Sequence, residues 1–324
     1  MTQPGAILLA GPTASGKSAI ALAAAKAVDG VIINTDSMQV YPVLSVLTAR
    51  PSAADETRAP HRLYGTAALS QPYSVARWLA DAKDAAEAVW AEGKVPIFVG
   101  GTGLYFRALE EGLANTPAID PVLRADIREA LFAEGSAALH GKLVAHDPEG
   151  AARLRPSDGQ RIARALEVVL QTGKTLAAFQ AERGAKPLLA ARTLWRHLIM
   201  PDRSVLHQRI NDRAEWMMDH GAVEEVQALR AINLPPDATA LKAIGVQQIG
   251  DLIDGKIDRA EALNRLKAAT RQYAKRQCTW FRGQFNDDWK VLFTNSPDPV
   301  EYGAALSSAL GKHPKTSAEC APNG

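Results

Sequence analysis

Gly11-Pro12-Thr13-Ala14-Ser15-Gly16-Lys17-Ser18 fits the phosphate-loop pattern G-x-x-x-x-G-K-[ST] at every fixed position. A short apolar run, Ala6 to Ala10, precedes it, and a small-residue stretch of helical character, Ala19 to Val28, follows it. A strand that turns through glycines into a helix aims several backbone N–H groups at one concave point. The positive end of the helix dipole adds to that field. The eight residues Gly11, Pro12, Thr13, Ala14, Ser15, Gly16, Lys17 and Ser18 are therefore expected to cradle a di- or triphosphate. Lys17 supplies a mobile positive charge for the terminal phosphate, and the Ser18 hydroxyl a ligand for Mg²⁺. The motif leaves open whether the phosphate is that of ATP.

The chain has 324 residues, enough for one large domain or two ordinary ones, and its 47% apolar and 22% charged residues describe a globular protein. A net charge of +2 does not announce a polyanionic partner, so any basic surface must come from local clustering. Cys278 and Cys320 lie far apart and form neither a disulfide framework nor a four-ligand zinc site. The N-terminus lacks a basic n-region, and its apolar run is too short for a signal peptide or a membrane span. These features predict a cytoplasmic protein without membrane attachment.

Beyond the first helix, Val31 to Asn34 reads as a second buried strand that delivers Thr35-Asp36-Ser37-Met38-Gln39 into a loop. Ligands of such sheets collect outside the carboxyl ends of the strands, so Asp36 faces the phosphate crevice. Asp and Ser here also suit a turn cap. Val43 to Ser52 reads as a loop with a short strand, and His61 to Tyr64 as a surface turn. Ser74 to Glu92 carries a helical apolar stripe. Val95 to Val99 is a buried strand closing on Gly100-Gly101-Thr102-Gly103. Motor-type phosphate-loop ATPases often keep a metal-binding carboxylate at such a strand end; glycines here disfavour that class. They would instead let backbone approach a ligand, with the Thr102 hydroxyl beside it, or form a tight strand-to-helix turn with Thr102 as its N-cap.

From Asn115 to about Lys186 the strand–helix alternation stops. Asp120 to Ala133, Ser136 to His146 and Ser157 to Gln171 read as helices, which predicts a helical insertion. Asp158 to Arg164 opens the third of them and gathers Gln160, Arg161 and Arg164 near one another on a first turn, a pattern that a solvated face would share. Thr193 to Met200 returns to strand, Asp202 to Ala231 is helical with a break at Gly221, and the chain to Trp280 stays helical. Between Arg265 and Arg282 stand Arg265, Lys267, Arg271, Lys275, Arg276 and Arg282, with Tyr273, Trp280 and Phe281 among them and no acid. Cations interleaved with aromatics suit contact with phosphate backbone and stacking on bases, so nucleic acid is the expected partner. Trp289 to Thr294 reads as a last strand. The fold expected is α/β: a P-loop NTPase-like parallel sheet core with a helical insertion and a helical C-terminal part. The divisions are 1–114 and 190–310 for the core, 115–189 for the insertion, and 311–324 for a polar tail.

Several separated stretches resemble one family, the bacterial tRNA dimethylallyltransferases. They are the phosphate loop, Asp36-Ser37-Met38-Gln39-Val40-Tyr41, Val99 to Tyr105, Asp158 to Val168, and Thr270 to Gln277. The chain departs from the family's usual pattern after Tyr41, with Pro42-Val43-Leu44 and Leu47-Thr48-Ala49-Arg50-Pro51, and again at His61-Arg62. The resemblance implies transfer of the prenyl group of dimethylallyl diphosphate to N6 of adenosine 37, beside the anticodon. It implies a phosphate loop that grips the donor's diphosphate with Mg²⁺ and an insertion that clasps the anticodon stem-loop of tRNA. Asp36 would be the general base, with Lys17 and Thr102 serving the reaction. Asp36, Ser37, Met38, Gln39, Thr102, Arg124, Gln160, Arg161, Ile162, Ala163, Arg164, Arg271, Lys275 and Arg276 would meet the tRNA, and a monomer is expected. Two other classes remain open. A small-molecule or nucleoside kinase also pairs a phosphate loop with an acid at the second strand end, but has no use for the basic helix. An RNA-binding protein switched by nucleotide would leave the RNA unmodified.

Overall fold

Ala6–Ala10 forms β1, buried at every residue, as an unbroken apolar run requires of a central parallel strand. It is flanked by β4 (Val95–Gly100) and β5 (Leu194–Ile199). Outside β4 lies β2 (Gly30–Asn34), and at the two edges lie β3 (His61–Arg62) and β6 (Lys290–Leu292). The six strands are parallel, in the order β3-β2-β4-β1-β5-β6. The chain leaves β1 toward β2 and β3, then returns through β4 and crosses to β5 and β6. The reversal beside β1 opens the crevice in which such sheets bind ligands, outside the carboxyl ends of the strands. This computed structural model describes residues 5–71, 73–182, 187–190, 192–236, 238–292 and 299–309.

Alternation along β1 divides the core between two faces. Ile7 and Leu9 point to one side, where Ile20, Ala24 and Val28 of α1 (Lys17–Val28) cover them. Ala6, Leu8 and Ala10 point to the other, into a larger core with Trp78, Phe98 and Phe106. Trp78 belongs to α3 (Val75–Ala91), whose start is capped by Ser74 accepting from the N–H of Arg77. α2 (Ala53–Arg58) precedes β3, and α4 (Gly103–Glu111) follows β4.

The chain divides into two compact units, one from Met1–Glu110 with Leu188–Gly324 and the other Glu111–Pro187, close to but not at the boundaries 115 and 189 expected from sequence. The second unit consists of helices α5 (Pro121–Glu134), α6 (Ser136–His146), α7 (Pro148–Ala152), α8 (Gly159–Thr172) and α9 (Leu176–Ala181). Ile127, Leu139, Leu143, Ile162 and Leu166 form its own core. The first unit continues after β5 with α10 (Arg203–Asp219), α11 (Ala222–Ala231), α12 (Val246–Ile253) and α13 (Arg259–Gln284), and ends in α14 (Pro299–Ala309). α13 opens on an Asp258 cap and buries Ala262, Leu266, Ala274, Gln277 and Phe281 along one face.

His61-Arg62 is an edge strand paired with Ile32 and Ile33 rather than a surface turn. No strand forms between Val43 and Ser52. That segment is a chain of turns held by one carboxylate, Glu225, which accepts from the N–H groups of Ser45, Val46 and Leu47 at 2.8, 2.6 and 3.0 Å. The expected strand at Trp289 to Thr294 is β6, its last two residues lying outside the described ones, as do the 311–324 tail and Cys320.

Candidate active site

The phosphate loop joins β1 to α1 with two residues in the left-handed region, Ala14 at φ 63° and Gly16 at φ 91°. Glycine adopts this without cost; Ala14 does so only because its surroundings fix it. Its side chain is buried against Leu206 and Ile210 of α10 and Ala274 of α13. The backbone N–H of Thr13 donates to Gln277 Oε1 at 2.9 Å, and the Thr13 hydroxyl oxygen meets Arg213 Nη1 at 3.2 Å. Arg209 donates to the Ser15 carbonyl at 3.3 Å. Within the loop the Ser15 hydroxyl is buried without a protein partner, an arrangement that costs free energy until a ligand or water satisfies it.

Lys17 is half-buried and donates to the Pro12 carbonyl at 3.2 Å. Desolvation lowers its ammonium to about 8; the Asp36 carboxylate opposes the shift and the Arg213 guanidinium adds to it. Three cations, Lys17, Arg209 and Arg213, thus surround the loop. Arg209 and Arg213 escape a motif search because they come from a helix some two hundred residues along the chain. Their spacing of four on the helix after β5, the neighbour of β1, is the signal that could have found them.

β2 ends in Asn34, whose side chain donates to the carbonyls of Asp36 and Leu63, both at 3.0 Å, and accepts from the Asp36 N–H at 2.9 Å. This network fixes the turn that presents Asp36. One carboxylate oxygen, Oδ1, accepts from the Met38 N–H at 2.9 Å, so the residue does cap a turn. Burial, and after it the negative charge of Asp36, push the phenols of Tyr64, Tyr105 and Tyr273 above their ordinary value. Three phenols from separate stretches of the chain thus feel the charge of Asp36. Beside it the Thr102 hydroxyl accepts from the Ser37 N–H at 3.0 Å, tying the end of β4 to the end of β2.

The glycines that end and follow β4 are explained by protein contacts rather than by open space for a ligand. A Cβ on Gly100 would lie 2.0 Å from the Thr35 carbonyl oxygen, one on Gly101 2.2 Å from Gln277 Nε2, and one on Gly103 2.1 Å from the Trp280 ring. Gly100→Ala must push back the Thr35–Asp36 backbone. We expect a loss of about 3 kcal/mol, at the upper end of overpacking effects, read as a lower urea midpoint at unchanged slope.

Of the remaining expected contacts, Gln39 is committed within the protein, donating to the carbonyls of Thr48 and Ala49 at 2.8 and 3.0 Å. Met38 is partly buried against the main core. On α13, Arg265 pairs with Glu261, Lys267 with Glu215, and Arg271 donates to Asn211 at 2.7 Å. Lys275, Arg276 and Arg282 are exposed. In the helical unit, Glu167 gathers two arginines, Arg164 at 3.2 Å and Arg124 at 3.8 Å. Gln160 and Arg161 are exposed, Arg161 beside Asp158 at 3.5 Å. Ile162 and Ala163 were expected at the RNA, but their side chains are only 0% and 6% exposed and belong to the core of the unit. Helical phase turns them inward while Arg161 and Arg164 turn out.

Geometry and fold define an α/β phosphate-loop protein whose acid stands at the end of β2 and whose β4 ends in glycine. A model of the IPP transferase family matches residues 39–284. The chain is 54% identical over 284 residues to the tRNA dimethylallyltransferase of Agrobacterium fabrum, spanning 88% of this chain and 95% of that protein. To the protein of the same name from Chelativorans it is 52% identical over 288 residues, 89% of this chain and 98% of the relative. The full-length tRNA isopentenylpyrophosphate transferase of Bacillus halodurans matches with a TM-score of 0.68 at 30% identity, covering 95% of this chain and 96% of that one. A eukaryotic dimethylallyltransferase acting on tRNA matches with a TM-score of 0.79 at 25% identity, covering 96% and 81%. The chain belongs to the IPP transferase family and is an enzyme of the prenyltransferase class.

Proposed function

We propose that this enzyme transfers the dimethylallyl group of dimethylallyl diphosphate to N6 of adenosine 37 of tRNA, releasing diphosphate. The observation that carries the reading is the placement of Asp36 and Thr102 at adjoining strand ends, Thr102 bonded to Ser37, beside a phosphate loop ringed by Lys17, Arg209 and Arg213. A kinase reading leaves the exposed cations of α13 without use.

In the proposed reaction the N6 lone pair attacks the allylic carbon, the C–O bond breaks with its electron pair going to the diphosphate, and the N6 proton passes to Asp36. Negative charge grows on the leaving oxygen. Lys17, Arg213 and the loop N–H groups stand ready to stabilise it without reorganising, an effect large in a water-poor crevice. The exocyclic amine of adenine is a poor nucleophile, but it becomes acidic as its new bond to carbon forms, so a carboxylate suffices as base. Asp36 can accept that proton because Met38 occupies only Oδ1. Thr102 orients the Ser37 backbone and offers a hydroxyl to the adenine or the diphosphate. The adenosine must leave its stack to reach this crevice, so base flipping is part of the proposal.

Among the described residues no group of three or more His, Cys, Asp or Glu side chains could hold a metal ion. The exposed Ser18 hydroxyl, at the start of α1, fits Mg²⁺, which takes few protein ligands and relies on phosphate oxygens and water. When bound there it would add positive charge at the departing diphosphate.

For the RNA we propose Ser37, Met38, Lys275 and Arg276 on the core, with Arg271 and Gln39 shaping that surface, and Arg124, Gln160, Arg161 and Arg164 on the helical unit. Replacing Arg271, Lys275 and Arg276 together with Ala is expected to weaken tRNA binding. It should flatten log K against log salt by about one unit per lost phosphate contact. A triple variant with the wild-type slope, measured by filter binding across a salt series, removes α13 from the interface. No helix among the described residues is long and apolar enough to cross a membrane. We propose a monomer acting in the cytoplasm. Incubation with labelled dimethylallyl diphosphate and unmodified tRNA tests the function: label should enter the RNA and depend on no nucleotide. Label transfer only from the terminal phosphate of ATP would favour the kinase.

A further inference from the structure

We infer that Gln277 is a positioning residue for the donor diphosphate: its amide locks the phosphate loop to the end of β4. The inference deepens the functional reading above and rests on it. Gln277 lies on α13 and is 6% exposed. Its Oε1 accepts the Thr13 N–H at 2.9 Å, and its Nε2 donates to the Gly101 carbonyl at 2.8 Å. One end must accept and the other must donate, so of the side chains of this length only an amide satisfies both. A carboxylate would set an oxygen against the Gly101 carbonyl, and an apolar side chain would leave two buried backbone groups unpaired.

Three further observations bear on this role. Gly101 has no room for a Cβ because Gln277 Nε2 fills that space, so the glycine and the amide form one fitted unit. Thr13 is seized twice, at its N–H by Gln277 and at its hydroxyl by Arg213. Its N–H is therefore withdrawn from any ligand, which leaves the anion to the N–H groups further along the loop, where α1 begins. Finally, Ala14, the next residue, is held in a left-handed conformation that a non-glycine residue keeps only when its neighbours over-determine it. Gln277 fixes the Pro12–Thr13 peptide, one residue upstream of Ala14, so loosening the amide should let the loop relax away from its gripping shape. The strand end that carries Thr102 is fixed by the same side chain through Gly101.

The test uses inorganic pyrophosphate as the probe, titrated calorimetrically into wild type, Gln277→Glu and Gln277→Met, with tRNA affinity measured alongside. Losing both hydrogen bonds in Gln277→Met, and in Gln277→Glu replacing the bond to the Gly101 carbonyl by an oxygen–oxygen contact, should each weaken pyrophosphate binding by about ten- to a hundred-fold at neutral pH. tRNA affinity should stay within about three-fold, less than a single lost hydrogen bond would change it. A protonated carboxyl is isosteric with the amide, accepting at one oxygen and donating at the other. The affinity of Gln277→Glu relative to wild type should therefore recover as pH falls, while Gln277→Met stays weak throughout. This recovery separates positioning from misfolding, because a variant that had lost its fold would not regain affinity in acid. Equal losses of pyrophosphate and tRNA affinity, or a Gln277→Glu deficit that ignores pH, would overturn the inference. Wild-type binding with unaffected variants overturns it alone, whereas absence of pyrophosphate binding by the wild type overturns the functional reading as well.

Discussion

Asp36→Asn is expected to lower the rate of prenyl transfer by about 10²-fold or more while leaving donor and tRNA affinity near wild type. Asn keeps the size of Asp, and its amide oxygen can still accept the Met38 N–H that Oδ1 holds at 2.9 Å. The turn should survive, since Asn caps as well as Asp. What disappears is the oxygen able to take a proton. Single-turnover rates of both proteins at saturating donor and tRNA read this directly. If Asp36 served instead as a metal ligand, excess Mg²⁺ would restore part of the rate. If it served only as a cap, the variant would work within a few-fold of wild type, and the assignment of the base would be wrong.

Lys17→Ala should cost more, about 10³-fold in transfer, in line with removal of a preorganised charge at a developing anion. tRNA affinity should be unchanged, because the cations exposed for RNA lie on α13 and not in the loop. The lowered value of Lys17, about 8, adds a pH signature. A bound diphosphate favours the charged ammonium and raises its pKa above that of the free enzyme. Donor affinity is then fully present below about 8 and declines as pH rises toward the bound-state value. Near pH 8 binding should take up protons, visible as a dependence of calorimetric enthalpy on the buffer, and Lys17→Ala should abolish the uptake. Parallel losses of tRNA binding and transfer in this variant would show that the two sites are not separate.

The sheet and its phosphate loop were legible because each rests on a local pattern. The apolar runs at Ala6–Ala10 and Val95–Gly100 can only be buried strands, and the glycine spacing of the loop has one structural outcome. Edge strand β3 was not legible. Its two residues, His61 and Arg62, carry no strand pattern and become a strand only because β2 lies beside them. The same limit hid Arg209, Arg213 and Gln277, which reach the loop from helices far along the chain and leave no mark near it. The Gly100-Gly101-Thr102-Gly103 turn was visible as a close-approach site, but sequence could not say what approaches. Thr35, Gln277 and Trp280 fill the space that a ligand was expected to use. Within the stretch Asp158 to Arg164, helical phase buries Ile162 and Ala163 in the core of the unit and leaves Gln160, Arg161 and Arg164 for the RNA.

The central claim, that the loop grips a prenyl diphosphate so that an adenosine amine beside Asp36 can take the prenyl group, is tested most directly on the product. Unmodified tRNA is incubated with the wild-type enzyme, dimethylallyl diphosphate and Mg²⁺, then digested to nucleosides and analysed by mass spectrometry. The account predicts one five-carbon prenyl unit on N6 of the adenosine next to the anticodon, with an equal amount of diphosphate released. Unmodified RNA with intact donor, or a prenyl group on any other base, would contradict it.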